Sequence, residues 1–226
     1  DAFIFDLDGT LIDSEPNYLA SDRAFLAAYG IEYTDELNAS MVGRGTEVFF
    51  ETLERLFPDS PLNRLPLGER IKRRDTAYLA YALARTKAFP SMAAFVAELS
   101  QRDYPLALAS GSSPDVIDAC LEAAGLAGYF PVRISASEAG RGKPAPDIFL
   151  LAAERLHADP SRCLVLEDSA SGLAAAKAAG MACFAFPALG VDPAAFSAAE
   201  RGFGGGPASV SPDELFAAVG LAAPSF

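Results

Sequence analysis

The chain has 226 residues, 51% of them hydrophobic, and a formal net charge of -12. That hydrophobic share excludes a disordered chain, and the acidic balance argues against nucleic acid or an anionic membrane surface as the main partner, because both need a basic face. The length accommodates one sizeable domain or a domain carrying a large insertion.

The first segment is an apolar run, Ala2-Phe3-Ile4-Phe5, that leads into Asp6-Leu7-Asp8-Gly9-Thr10. It reads as a buried parallel strand whose carboxyl end carries two acids, the edge at which open α/β sheets bind ligands. Gly9 marks the bend. Two carboxylates so close need a shared proton or a cation, and a hard ion such as Mg²⁺ suits their oxygens. A solvated Asp-rich turn has the same local sequence, so the choice between them rests on the rest of the chain.

From Ser14 the pattern becomes helical. Ser14-Glu15-Pro16 supplies a start for a helix running to Gly30, and further helices are expected over about Glu47 to Leu56 and Leu67 to Ala84, with a Pro-rich turn around Phe57 to Pro66. No strand is expected between Ser14 and Arg85. An alternating pattern resumes at Pro90: helix Met92 to Leu99, strand Leu106 to Ala109, helix Ser113 to Ala124, strand Arg133 to Ser135, helix Pro146 to Leu156. It continues with strand Cys163 to Leu166, helix Ala170 to Ala179, strand Ala182 to Phe186, a loop at Gly202 to Gly206 and a last helix at Pro212 to Val219. That alternation predicts a parallel sheet covered by helices on both faces, without fixing the strand order.

Cys120, Cys163 and Cys183 have no close spacing, which suggests reduced, mostly buried thiols and a cytoplasmic setting rather than disulfides or zinc. No signal peptide or apolar run of transmembrane length is read in the sequence. The lone His157 reads as an exposed helix-end residue with no role.

Four stretches, Asp6-Leu7-Asp8-Gly9-Thr10, Ser110-Gly111-Ser112, Gly142-Lys143-Pro144-Ala145-Pro146-Asp147 and Glu167-Asp168-Ser169, occur in an order that resembles the haloacid dehalogenase superfamily, in its β-phosphoglucomutase-like and CbbY-like branch. Together they span most of the chain. The resemblance implies an α/β fold, a Rossmann-like parallel core with an inserted all-helical cap, divided as 1–13 core, 14–86 cap and 87–226 core. Its implied hinges lie near Leu11 to Glu15 and Arg85 to Ser91.

The resemblance also implies roles. Asp6 is the implied nucleophile that forms an aspartyl-phosphate, and Asp8 the acid that protonates the leaving oxygen and then activates water. Thr10, Ser110 and Gly111 are implied phosphate contacts, with backbone N–H groups at Leu7, Gly111 and Ser112; Ser112 or Ser113 is expected to cap the next helix. Lys143 is implied to hold Asp6 ionised and neutralise phosphoryl charge. Mg²⁺ is the implied cofactor, on Asp6, Asp168 and the backbone carbonyl of Asp8, with Glu167 as a second or outer ligand.

Within the family, Mg²⁺-dependent hydrolysis of a small phosphomonoester, such as a sugar phosphate, is the expected activity. A mutase is the alternative, but Thr46 stands where mutases have an arginine and Tyr18 where they have a histidine, with Arg44 or Arg74 as substitute phosphate grips and candidate specificity residues. The Asp8 and Glu167-Asp168 positions argue against a metal-free dehalogenase, and the absence of lysine between Asp13 and Lys72 argues against a phosphonate hydrolase. A non-catalytic binding protein is the alternative from another class, although none of Asp6, Asp8, Lys143 or Asp168 is lost. The expected partner is a small phosphorylated metabolite, with no nucleic acid, no membrane and no obligate protein partner inferred.

Overall fold

The computed structural model describes residues 1–41, 45–82 and 85–222. The chain divides into two compact units, one formed by residues 1–13 with those from 87 onward, the other by residues 14–86.

Strand β1 (Ala2–Phe5) opens the chain and is buried along its whole length. Helices α1 (Glu15–Ala27), α2 (Asp35–Met41), α3 (Thr46–Leu56) and α4 (Leu67–Ala82) make up the second unit. The first unit resumes with α5 (Pro90–Gln101), β2 (Leu106–Ser110), α6 (Pro114–Ala123), β3 (Val132–Ser135) and α7 (Ala136–Ala139). It is completed by α8 (Asp147–Arg155), β4 (Cys163–Glu167), α9 (Ala170–Ala178), β5 (Ala182–Ala185), β6 (Arg201–Gly202) and α10 (Pro212–Ala218).

The strands form one parallel sheet in the order β3-β2-β1-β4-β5-β6. The chain first builds outward from β1 through β2 to β3, then returns to the other side of β1 with β4. The direction of winding therefore reverses between β1 and β4, the kind of place where open α/β sheets bind ligands.

Alternation along β1 divides its side chains between two layers. Phe3 and Phe5 meet Phe95 of α5 edge-on, and Phe95 in turn meets Phe216 of α10. Ala2 and Ile4 point into the other layer, with Phe149 of α8 and Leu173 of α9. Removing a side chain such as the fully buried Phe5 would cost about 3–5 kcal/mol by the usual cavity arithmetic.

The helical unit has its own core of Phe25, Leu26, Phe49, Phe50, Leu53 and Leu62. Within it, α1 and α4 are bound by a bidentate pair in which Arg74 Nε and Nη2 each donate to Asp22 at 2.7 Å. The Arg74 guanidinium also lies over the Phe49 ring at 4.0 Å, and Tyr18 stacks on Tyr78 with centroids 4.0 Å apart.

Three elements depart from the sequence expectation: α2, the four-residue helix α7 and β6. Helix α2 is a short polar segment that fully buries only Met41, with Leu37 one turn earlier packed against the same core, a stripe too short to announce it. Arg201 and Gly202, the latter expected in a loop, pair in parallel with Phe184 and Ala185 as a two-residue edge strand. Among the described residues no helix is long and apolar enough to cross a membrane.

Candidate active site

The site grows from the register of the central strands. Phe5 pairs with Leu108 on one side and Leu166 on the other, so Asp6 leaves β1 level with the ends of β2 and β4. Its N–H still donates to Leu166 O at 3.0 Å, which fixes the first residue of the loop to the sheet. The chain then turns sharply: Leu11 N and Ile12 N both donate to Leu7 O, and Gly9 N donates to Ile12 O. Gly9 has φ +78°, and a Cβ there would run into the Asp168 carboxylate. Glycine thus serves twice, permitting the left-handed turn and leaving room for the acid opposite.

The loop before α8 delivers Lys143, preceded by Gly142 and joined to Pro144 by a cis peptide bond. Lys143 Nζ donates to Asp6 Oδ1 and to Glu167 Oε1, both at 2.5 Å, and lies over the Phe149 ring at 5.0 Å. Glu167 Oε2 accepts from Ser169 N–H at 2.6 Å and Ser169 Oγ at 2.9 Å, while Ser169 Oγ also accepts from Gly172 N–H at the start of α9. Both Glu167 oxygens are therefore occupied although the residue is only 1% exposed, which meets the requirement that a buried carboxylate be fully bonded. Gly172 makes this arrangement possible, since a Cβ at that position would overlap the Glu167 carboxylate.

Burial sets the electrostatics. It pushes Asp6 up to about 7 against the pull of Lys143, with Glu167 and Asp8 adding to the rise. Asp168 is raised well above the ordinary aspartate range, first by burial and then by Glu167 and Asp6. Burial alone would depress Lys143, but Asp6 and Glu167 outweigh it and hold the ammonium above its ordinary value. Fully ionised, the cluster would carry more negative charge than Lys143 balances.

Such a field favours a further cation. Ligand oxygens of Asp6, Glu167 and Asp168 lie within 4.8 Å of one another. That spacing suits a shared ion with Mg–O bonds of about 2.0–2.1 Å, and an all-oxygen donor set matches a hard divalent metal rather than zinc or copper. The residues present fit Mg²⁺. The Asp8 carboxylate is not part of this group of three.

Asp8 is instead held from β2's side. Ser112 Oγ donates to Asp8 Oδ2 at 3.0 Å, and Ser112 N–H donates to Ser110 Oγ at 3.1 Å. This corrects two expectations. The Ser112 N–H, foreseen as a phosphate donor, already serves Ser110, and neither serine caps α6: Ser113 occupies the N-cap position without a side-chain cap bond.

The remaining predicted residues divide. Ser110 and Thr10 are buried at the same sheet edge, and Thr10 Oγ1 has no hydrogen-bond partner among the described residues. Gly111 is exposed, and a Cβ there would meet nothing within 4 Å, so space does not demand glycine. Arg74, foreseen as a specificity residue, has its guanidinium committed to Asp22 inside the helical unit. Arg44, the other candidate, lies outside the described residues, as does Gly43 beside it. Sequence reading quoted Ser169 without a role and missed Gly172 and Asp22. A Ser followed three residues later by a Gly at a helix start was the available signal for the first two, whereas nothing local marks Asp22 as the partner of a residue on α4.

A model of the haloacid dehalogenase-like hydrolases matches residues 1–180. Fructose-1-phosphate phosphatase from Escherichia coli K12 is 32% identical over 182 residues, covering 79% of this chain and 92% of that protein. A phosphorylated carbohydrates phosphatase from Thermotoga maritima is 33% identical over 185 residues, covering 80% and 82% respectively. Among solved structures, CbbY from Rhodobacter sphaeroides in complex with phosphate superposes with a TM-score of 0.79 at 26% identity, covering 92% of this chain and 94% of that one. With the family model matching well over half its length, the chain belongs to the haloacid dehalogenase-like hydrolase family.

Proposed function

We propose that this protein is a Mg²⁺-dependent phosphatase that hydrolyses a small phosphomonoester, of the sugar phosphate class, through an aspartyl-phosphate on Asp6. The observation that carries the reading is the Lys143 ammonium, fixed 2.5 Å from both Asp6 and Glu167 at a sheet edge crowded with acid. The relatives named above support the substrate class, since they act on fructose 1-phosphate and on phosphorylated carbohydrates.

In this reading an Asp6 oxygen attacks phosphorus as the ester P–O bond breaks, and Asp8 gives its proton to the departing oxygen. Asp8 then takes a proton from water as the water oxygen attacks phosphorus, freeing inorganic phosphate and regenerating Asp6. Lys143 neutralises charge on the phosphoryl oxygens throughout, and the buried hydroxyls of Thr10 and Ser110 donate to them. Asp6, Asp168 and the Asp8 carbonyl, with Glu167 as the outer member, would hold Mg²⁺, which would supply the remaining positive charge.

The unit of residues 14–86 is the natural seat of substrate choice in this scheme. The test is phosphate release from a panel of sugar phosphates, nucleotides, phosphoglycolate and pyrophosphate, with and without Mg²⁺, run beside a phosphoglucose isomerisation assay. Mg²⁺-dependent release concentrated on one sugar phosphate supports the reading. Isomerisation without release would replace it with a mutase, and inactivity in both would leave a binding protein.

A further inference from the structure

Asp8 and Ser112 come from different strand ends, yet Ser112 Oγ donates to Asp8 Oδ2 at 3.0 Å. The backbone around Asp8 is fixed by the bonds that close the turn at Leu7 to Ile12, but those bonds leave the rotation of its side chain undetermined. Ser112 supplies a restraint on that rotation. It is itself held, because its N–H is bound to the hydroxyl of Ser110, the buried last residue of β2. A chain of contacts therefore runs from the end of β2, through Ser110 and Ser112, to the carboxyl group of Asp8.

We propose that Ser112 is the positioning residue for proton transfer by Asp8. An oxygen that accepts a hydrogen bond is the poorer site for the acid proton, so the Ser112 bond assigns Oδ2 the carbonyl role and leaves the proton on Oδ1. When the ester P–O bond breaks, its electron pair remains on the departing oxygen, which takes the Oδ1 proton, and Asp8 becomes the carboxylate. In the second step the same oxygen accepts a proton from the attacking water, and the P–O bond to Asp6 breaks with its electron pair returning to Asp6. The two steps sum to ester and water giving alcohol and inorganic phosphate. Ser112 exchanges no proton with the substrate in either step. Its contribution is to hold one carboxyl orientation, which matters because general acid catalysis is worth about 10²–10⁴-fold only when the proton lies within hydrogen-bond reach.

This inference rests on the phosphatase reading, and it has a signature that a role in folding or in phosphate binding lacks. Protonation matters for a poor leaving group and little for a good one, and kcat/KM reports only the steps through departure of that group. Purified wild-type protein and the variants Ser112→Ala, Ser112→Thr and Asp8→Asn should be compared on fructose 1-phosphate, p-nitrophenyl phosphate and a series of substituted phenyl phosphates. The expected result for Ser112→Ala is a loss of about 10-fold or more in kcat/KM on fructose 1-phosphate, within the range of acid catalysis, against less than about 3-fold on p-nitrophenyl phosphate. The dependence of rate on leaving-group basicity becomes steeper, Ser112→Thr restores most of the loss, and Asp8→Asn shows the same selectivity in stronger form. An equal loss on all esters, a change confined to KM, or no loss overturns the positioning role while leaving the phosphatase reading intact. Absence of wild-type hydrolysis of every ester overturns both.

Discussion

Asp6 and Lys143 are 137 residues apart in the chain and 2.5 Å apart in the fold. Burial disfavours the charge on each, and each is the main source of compensation for the other. Replacing Asp6 with Asn keeps the shape but removes the proposed nucleophile together with one of the two carboxylates bonded to the lysine. Asp6→Asn should reduce phosphate release by about 10³-fold or more, as expected for loss of a covalent nucleophile. Circular dichroism should show an unchanged fold, and substantial turnover by the purified variant would place the nucleophile elsewhere.

Asp168 should govern metal response. A ligand that binds only the folded state stabilises it by RT ln(1 + [L]/Kd), about 2.7 kcal/mol at 100-fold excess over Kd. Thermal melts of the wild type should therefore rise on Mg²⁺ addition and fall back with a chelator. Asp168→Ala should flatten that titration, and a normal response in the variant would exclude Asp168 as a ligand.

Gly172 offers a test of packing behind the site. In an exposed helix, Gly to Ala gains about 1 kcal/mol, which by itself predicts stabilisation. Here the added Cβ overlaps a carboxylate held by Lys143 and Ser169, and overpacking costs about 1–3 kcal/mol. Gly172→Ala should thus lower the melting temperature and reduce activity together by displacing Glu167 from Lys143. A stabilised, fully active variant would mean that Glu167 moves aside without consequence.

In the helical unit, Arg74 and Asp22 are 13% and 3% exposed at the side chain. Breaking a buried pair by removing one partner costs about 3–5 kcal/mol, because the other charge is left uncompensated. Arg74→Met should therefore destabilise the protein strongly, and Asp22→Asn combined with it should recover part of the loss. Denaturant melts of the two single variants and the double variant measure the coupling; strict additivity would show that the pair is not a unit.

Glu200 provides a pH dependence away from the site. Its carboxylate accepts Cys183 N–H at 2.7 Å and Lys177 Nζ at 2.5 Å, taking the place of a strand partner where β6 is too short to reach. Burial would raise it, but the Lys177 and Cys183 bonds win and hold it below the ordinary glutamate range. The stabilisation is therefore present above the unfolded value and is lost as pH falls through the lowered folded one. Because the side chain is 43% exposed, the effect should be no more than about 1 kcal/mol. Glu200→Gln should lose that increment at neutral pH and match the wild type in acid, as followed by urea midpoints.

The sheet and its acidic edge were legible because buried parallel strands leave an unambiguous apolar signal and because Asp6, Lys143 and Asp168 sit in strongly patterned loops. Strand order was not, since β1 pairs with β2 and β4 through contacts that local pattern does not encode. Helix α2 escaped because only Met41 of its seven residues is fully buried. The Ser112 side chain was misread for an instructive reason: a serine before a proline-led helix looks like a cap, and only the third dimension reveals a carboxylate closer to hand. The bond from Arg74 to Asp22 was likewise not legible, since Asp22 is 52 residues earlier on another helix.

The two connections to the helical unit run side by side. Asp13 N donates to Lys87 O, Phe89 N donates to Leu11 O, and Ile12 bridges Ala88 in antiparallel fashion. Entry and exit are thus sewn together into a closed seam within the first unit, before the insertion begins. Loop-closure entropy grows only as about (3/2)RT ln n, so a longer or shorter insertion changes the cost of that seam very little. The helical unit is consequently a replaceable cassette: selection can exchange it for another sequence while the acidic edge of the sheet keeps its geometry.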